Sequence, residues 1–467
     1  MKQIAVIGAG ISGLATAFQI EKKLKESGVS HKLFIFEKEK KTGGKIGAVY
    51  ENGFRCEGGP NGFLDSKPST IELCAELGLS NRLARSSDAA QRRFIYSAGK
   101  LHELPTNPFR FFRSDLLSLK GKLRIIGELW APGPKQGTDP TIAEFARRRL
   151  GKEAHARLLD PMVAGVFAGD TERLSLASCF PRMVELEREY GSLIRAMIKL
   201  AKARKQNPGT GKHGGGPAGP GGKLTSFDKG LSVLPDAIAE RFRGQIHLNA
   251  DLKKIGMTSE GFRLSFSNAE DLDSDCVVVA TPACDASSPL SFIDEGLATV
   301  LDRFEFAPAT VVGLGFDRKM IDRDINGFGF LIPREENRRI LGSLWTSSIF
   351  SHRAPEGSVL FRTIVGGARS PELAGLSEEE TIQMVRSELK KIMGITAKPQ
   401  FAHVFKWQKA ICQYNVGHSV RLQEIDERLS RIPGLFLTGN SYRGIALNDC
   451  TLNAKRVADD VTNFLKD

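Results

Sequence analysis

Two short stretches near the start of the chain carry residues whose types and spacing could hold a phosphate-bearing ligand. The first is Gly8-Ala9-Gly10-Ile11-Ser12-Gly13, and the second ends in Glu37-Lys38. In a G-x-G-x-x-G turn the first glycine permits a sharp bend, the second lets a pyrophosphate approach the backbone, and the third lets a helix pack on a strand. A helix opening at such a turn points its N-terminus at the anion. An acid roughly 20 residues further on, or slightly more, is suited to accept hydrogen bonds from a ribose diol and disfavours a ribose phosphate. The combination predicts a dinucleotide site.

The elements that must position these residues are legible around them. Ile4, Val6 and Ile7 form an apolar, β-branched run that reads as a buried strand, and Lys32-Leu33-Phe34-Ile35-Phe36 reads as the next. Two later runs, Cys276 to Pro282 and Gly434 to Asn440, read as returns to the same sheet, so the dinucleotide domain is expected to be discontinuous. From Ala446 the chain enters a final helix whose N-terminus is expected to face the ligand. Residues 110 to 200 are helix-patterned with many Arg and Leu, whereas 245 to 365 alternates apolar strands with turns. Between them, Lys205 to Gly222 is Gly/Pro-rich and reads as an exposed insertion without a core.

Composition narrows the class. A chain of 467 residues, 41% hydrophobic, can bury more than one core, so two or three domains are expected. No run approaches the roughly 18 apolar residues of a spanning helix, and the first strand begins almost at Met1, so neither secretion nor membrane spanning is expected. Seven scattered cysteines without a C-x-x-C pair suit reduced thiols in a cytoplasm. The eight histidines include no pair at ligand spacing, so no metal is expected. The net charge of +12 carries no zinc-finger or RNA-binding signature, which argues against nucleic acid. Oligomeric state is left open, a homodimer among the options.

Thr42-Gly43-Gly44-Lys45, a glycine pair just after the ribose-binding acid, resembles the extended FAD signature of the flavin amine oxidase superfamily, and Gly58-Gly59-Pro60-Asn61-Gly62 adds bare backbone where an isoalloxazine ring could lie. Further motifs extend the likeness over nearly the whole chain: GGPNGFLDSKP, QRRFIYSAGKLHELP, AGVFAGDTERLSLASCFP, LTSFDKGLSVLPDAI, NGFGFLIP, QYNVGH and GIALNDCTLNA. With them the chain resembles the protoporphyrinogen oxidases, FAD enzymes of late haem synthesis. The long glycine-rich insertion departs from that pattern, as does Ser419, where related enzymes can carry a bulkier flavin neighbour.

The resemblance implies an α/β fold: a Rossmann-type FAD-binding domain (1–85, 224–290 and 426–467), a mixed-sheet substrate domain (291–425), and a substrate-contacting, mainly helical membrane-associating region (86–205), with the insertion at 206–223. It implies FAD contacts at Gly8, Gly10, Ile11, Ser12, Gly13, Glu37, Lys38, Gly43, Gly44, Lys45, Gly59, Pro60, Asn61, Gly62, Leu252, Ala446, Leu447 and Asn448. Substrate contacts carried over are Arg93, as a propionate anchor, with Gly165, Phe167, Phe328, Gly329, Leu331, Leu344 and Ile364 lining an apolar slot. The implied activity is six-electron oxidation of protoporphyrinogen IX in three flavin turnovers, with molecular oxygen as acceptor and hydrogen peroxide released. Coproporphyrinogen III is the alternative, and another flavin amine oxidase-type enzyme would share both ends of the chain. The Leu447-Asn448-Asp449-Cys450 ending resembles the protoporphyrinogen-using group. No catalytic base is assigned, because the cofactor carries the difficult step.

A cytoplasmic protein is expected, with peripheral contact on the inner face of the membrane as an open alternative. Phe109-Arg110-Phe111-Phe112-Arg113, followed by Leu116, Leu117, Leu119, Lys120 and Lys122, interleaves aromatics with bases. It suits either a membrane interface or a helical cap with buried aromatics.

Overall fold

The computed structural model describes residues 1–105, 108–134, 137–206 and 222–466. The predicted insertion therefore lies largely outside the described residues.

The β-branched run at the N-terminus forms the central strand, Lys2–Ile7, of a five-stranded parallel sheet. It pairs with His31–Phe36 on one side and with Cys276–Val279 on the other, Ile4 standing opposite both Leu33 and Cys276. Gln245–His247 and Leu435–Leu437 complete the edges, also in parallel. Both late returns expected from the sequence thus join the first sheet. A parallel sheet must be covered on both faces. Ile4 and Val6 pack with Leu14, Ala17 and Ile20 of the helix Ile11–Glu26 and with Ala454, Ala458 and Val461 of the terminal helix Leu447–Lys466. Ala5 and Ile7 enter a second core with Val277, Val279, Leu290 and Leu297.

A seven-stranded mixed sheet stands apart from it. In spatial order its strands are Phe401–Cys412, Phe306–Asp317, Ser358–Gly366, Gly342–Trp345, Gly329–Leu331, Arg93–Ser97 and Lys100–Glu103. Two stretches of chain far apart in sequence therefore build one sheet, joined where Gly329 pairs in parallel with Arg93. One face is sealed: Phe330, Trp345, Phe361 and Val365 pack with Met384, Val385 and Leu389 of the helix Glu378–Met393.

The third body is helical. Ile142–Arg149, Asp160–Phe167, Pro181–Tyr190 and Leu193–Gln206 close around Phe145, Phe167, Leu174 and Leu186. The first of these helices starts at a capping box between Thr141 and Glu144. Among the described residues no helix is long and apolar enough to cross a membrane.

Candidate active site

The glycine turn leaves the first strand at Gly8, whose φ of +99° is left-handed, and the helix begins at Ile11 without a side-chain cap. The first N–H groups of a helix have no internal acceptor, so an uncapped start presents them to a ligand. Gly13 is required by contact: a Cβ there would sit 1.9 Å from the carbonyl oxygen of Gly8. Glu37 is buried and held from both sides, Ala9 N–H donating to its Oε2 at 2.7 Å and Glu39 N–H to its Oε1 at 3.0 Å. The carboxylate is thus fixed beside the glycine turn with lone pairs to spare for a diol.

Gly43 bridges to Gly10, its N–H donating to the Ala9 carbonyl at 2.8 Å, so the second glycine pair lies directly against the first turn. Gly59 then packs on this segment so closely that a Cβ would come within 1.9 Å of the Lys45 carbonyl oxygen. Around the cradle, several polar groups are buried without partners: both amide atoms of Asn61, Thr438 Oγ1 and Asn448 Oδ1. Unpartnered buried polar groups are costly in a finished protein. A polar ligand in this cradle completes them, so the residues present fit a dinucleotide.

The second face of the large sheet, opposite the sealed one, carries most of the expected substrate contacts. Partners opposite one another across strands share a face. Arg93, Gly329, Leu344 and Arg362 form one row across four strands, and Leu331, Gly342 and Ile364 form the next row on the same face. Phe328 directly precedes the strand Gly329–Leu331, and the Arg93 guanidinium lies over its ring at 5.1 Å. Phe328, Leu331, Leu344 and Ile364 are half-buried, in contrast to the sealed residues of the opposite face. Arg362 reaches from this face to the carbonyls of Glu57 and Gly59, which sets the apolar wall against the cofactor loop.

A family model for the flavin containing amine oxidoreductases matches residues 11–462. The chain belongs to this family. Among its relatives, the coproporphyrinogen III oxidase of Bacillus subtilis is 32% identical over 99% of this chain and 98% of that protein. The chloroplast protoporphyrinogen oxidase of Nicotiana tabacum is 33% identical over 98% and 85%. The crystal structure of a provisionally named protoporphyrinogen oxidase from Exiguobacterium sp. 255-15 superposes with a TM-score of 0.84 at 26% identity, covering 99% of both chains. The protein is an FAD-dependent oxidase, and FAD is the dinucleotide that the cradle fits.

In this flavin amine oxidoreductase, the remaining positions expected to touch FAD each have a definite place. Lys38 lies 3.6 Å from Asp285, and Lys45 Nζ donates to the Ala410 carbonyl at 2.8 Å while burial lowers its pKa. Pro60 is exposed at the surface of the loop, and a Cβ on Gly62 would meet the Thr225 carbonyl at 2.5 Å. Leu252 begins a separate antiparallel sheet, two residues after Ala250, whose N–H binds the Glu37 carbonyl. Ala446 N–H donates to Asp449 Oδ2, Leu447 starts the terminal helix, and Asn448 Nδ2 donates to Leu64 O.

Of the expected substrate contacts, the sheet brings together Arg93, Phe328, Gly329, Leu331, Leu344 and Ile364. Gly165 seats its helix on this wall, since a Cβ there would lie 2.7 Å from Leu331 Cδ2. Phe167 goes elsewhere: its ring is buried in the helical core, edge-on to Phe180 at 5.7 Å. Sequence reasoning missed Arg362, Glu57 and Thr438. A single charge in the apolar run Ser358–Gly366 was the available signal for Arg362.

Behind the cradle, His418 stacks on Tyr414 at 3.9 Å and its Nε2–H donates to the Tyr442 carbonyl, leaving Nδ1 bare. Burial drives its pKa from 6.5 down to about 4. The unfolded chain takes up this proton below pH 6.5 and the folded chain only near pH 4, so stability falls as pH drops through that window. Denaturant midpoints at pH 7 and pH 5 should differ more in the natural protein than in His418→Gln; equal differences would contradict this.

Proposed function

We propose that this protein oxidises a porphyrinogen to the porphyrin in haem synthesis, with protoporphyrinogen IX as its substrate. The observation that carries this reading is Arg93. Its guanidinium has no carboxylate partner among the described residues, and it stands at the edge of an apolar wall that faces the cofactor loop. Arg93 is exposed overall, yet enough protein surrounds the guanidinium for desolvation to lower its pKa; it remains charged at neutral pH. A flat, apolar macrocycle with carboxylates at its rim needs such a pairing, and the bidentate fork of an arginine suits a propionate.

Bound FAD supplies a two-electron acceptor, so removal of six electrons takes three turnovers, each closed by oxygen with release of peroxide. Leu331, Leu344, Ile364 and Phe328 carry no titratable group. This face therefore orients the macrocycle and excludes water rather than moving protons. Stacking on Phe328 adds about 1 kcal/mol beyond burial.

The relatives' names include both protoporphyrinogen and coproporphyrinogen III oxidases. The deciding experiment follows porphyrin fluorescence with each porphyrinogen in turn on one holoprotein preparation. A higher kcat/KM for protoporphyrinogen IX supports the reading, and a clear preference for coproporphyrinogen III replaces the substrate while leaving the reaction class. Arg93→Ala should raise KM on the order of ten- to a hundredfold, the loss of a charge-assisted bond of about 1.5–3 kcal/mol, with FAD content unchanged. Unaltered kinetics would remove Arg93 from the site.

The protein further docks on anionic membrane surfaces through residues 109–130, which pack on its helical body where Arg124 donates to the Arg148 and Arg149 carbonyls. Phe109, Phe112, Leu119, Leu123 and Trp130 are exposed there, among Arg113, Lys120 and Lys122, whereas Leu116 and Leu117 are buried. Exposed aromatics flanked by bases suit a headgroup interface. Co-sedimentation with vesicles containing anionic lipid should be seen and should weaken in Trp130→Ser; absence of binding at low salt would contradict this.

A further inference from the structure

The strand Ser358–Gly366 carries one charge, Arg362, and that residue is only 5% exposed on the face turned to the cofactor loop. Its Nε donates to the Glu57 carbonyl at 2.9 Å and its Nη2 to the Gly59 carbonyl. Neither acceptor is a carboxylate. The nearby acid, Glu57, is fully buried and spends Oε1 on Arg353, at 2.6 Å, and on the Leu231 N–H, at 2.8 Å. Arg353 is fully buried as well. Two buried guanidiniums thus stand beside a single carboxylate, which pairs with Arg353 and leaves Arg362 without an ion-pair partner among the described residues. The adjacent thiol of Cys56 offers no compensation, because burial pushes its pKa up to about 12. Arg55, a further charged neighbour of Arg353, adds positive charge.

Desolvation is the leading cause that lowers the pKa of both Arg353 and Arg362. A buried charge without a counter-charge is strongly unfavourable unless a ligand answers it. The ligand is indicated independently by Asn61, two residues beyond Gly59, whose buried amide has no partner at either atom.

We propose that Arg362 is a positioning residue for the cofactor: it fixes the loop from Glu57 to Gly62 by two carbonyls and places behind it a positive charge that raises the midpoint potential of bound FAD. Reduction of FAD by two electrons and one proton adds one negative charge. A fixed positive charge nearby in a low-dielectric interior favours that product over the oxidised form. This inference rests on the bound flavin and not on the identity of the substrate.

The test uses holoprotein without porphyrinogen and measures the two-electron midpoint potential against an indicator dye, together with FAD retained after gel filtration. Arg362→Gln should shift the potential to more negative values. Arg362→Lys should keep a potential near the natural one yet release FAD faster, because a point charge cannot span both carbonyls as the planar fork does. Glu57→Gln, which removes the counter-charge while keeping an acceptor for Arg353 and Leu231, should shift the potential the other way and serves if the arginine variants do not fold. An unchanged potential in Arg362→Gln overturns the proposal, as does a shift of the same sign in Glu57→Gln. The same holoproteins are then assayed with porphyrinogen, and a raised KM as the sole effect would make Arg362 a substrate anchor instead, which too overturns the proposal.

Discussion

Gly13→Val is expected to give a protein without flavin. The position admits no side chain at all, since even a Cβ would stand 1.9 Å from the Gly8 carbonyl oxygen and 3.2 Å from the Ala280 side chain. Relief requires the helix Ile11–Glu26 to move off the strand, and that movement takes its N-terminal N–H groups away from the pyrophosphate. Helix and strand also meet in the core around Ile4, Val6, Leu14 and Ile20, so stability should suffer as well. The check is the visible spectrum of the purified variant against the natural protein: a yellow Gly13→Val with full FAD content would show that the turn does not hold the cofactor.

Arg149→Ala should cost the helical body about 3–5 kcal/mol, the range for breaking a buried ion pair by removing one partner. Arg149 is 1% exposed and lies between two buried acids. Its Nε donates to Glu187 Oε1 at 2.6 Å and its Nη1 to Glu128 Oε1 at 3.2 Å. Glu187 keeps Arg148 as a second partner, but Glu128 has no other cation among the described residues. Glu128 also receives the N–H groups of Leu193 and Ile194 at the start of the helix Leu193–Gln206, so its misplacement should loosen that helix. In a chain of several bodies one global transition is not assured, and local opening is the better readout. Hydrogen exchange over residues 128 to 194 should accelerate strongly while the strands of the FAD sheet remain protected; unchanged protection would contradict the assignment.

The cofactor half was readable in the sequence because its signals are local. Strand, glycine turn, helix, strand and acid follow one another within 37 residues, and each obeys a short-range rule. The substrate wall offered no such signal. Leu331, Leu344 and Ile364 come from three strands, and only their register places them on one face, so they were reached through resemblance alone. Register also explains Arg362, whose role depends on which face of its strand looks at Gly59. Phe167 illustrates the opposite limit. Successive helical residues turn by about 100°, so two residues apart point to nearly opposite sides. Gly165 and Phe167 therefore cannot both face Leu331; the glycine does, and the ring turns inward to Phe180. The aromatic and basic stretch beginning at Phe109 was ambiguous for a similar reason, since its burial is set by what packs on it rather than by its own period.

Oxygen consumption and peroxide release, followed together with porphyrin formation on the yellow holoprotein, test the central claim most directly. The account predicts that adding protoporphyrinogen IX yields porphyrin fluorescence above the uncatalysed rate, with three oxygen molecules consumed and three peroxides released for each porphyrin formed. A flavin that stays oxidised, with no enzyme-dependent fluorescence from either protoporphyrinogen IX or coproporphyrinogen III, would contradict it.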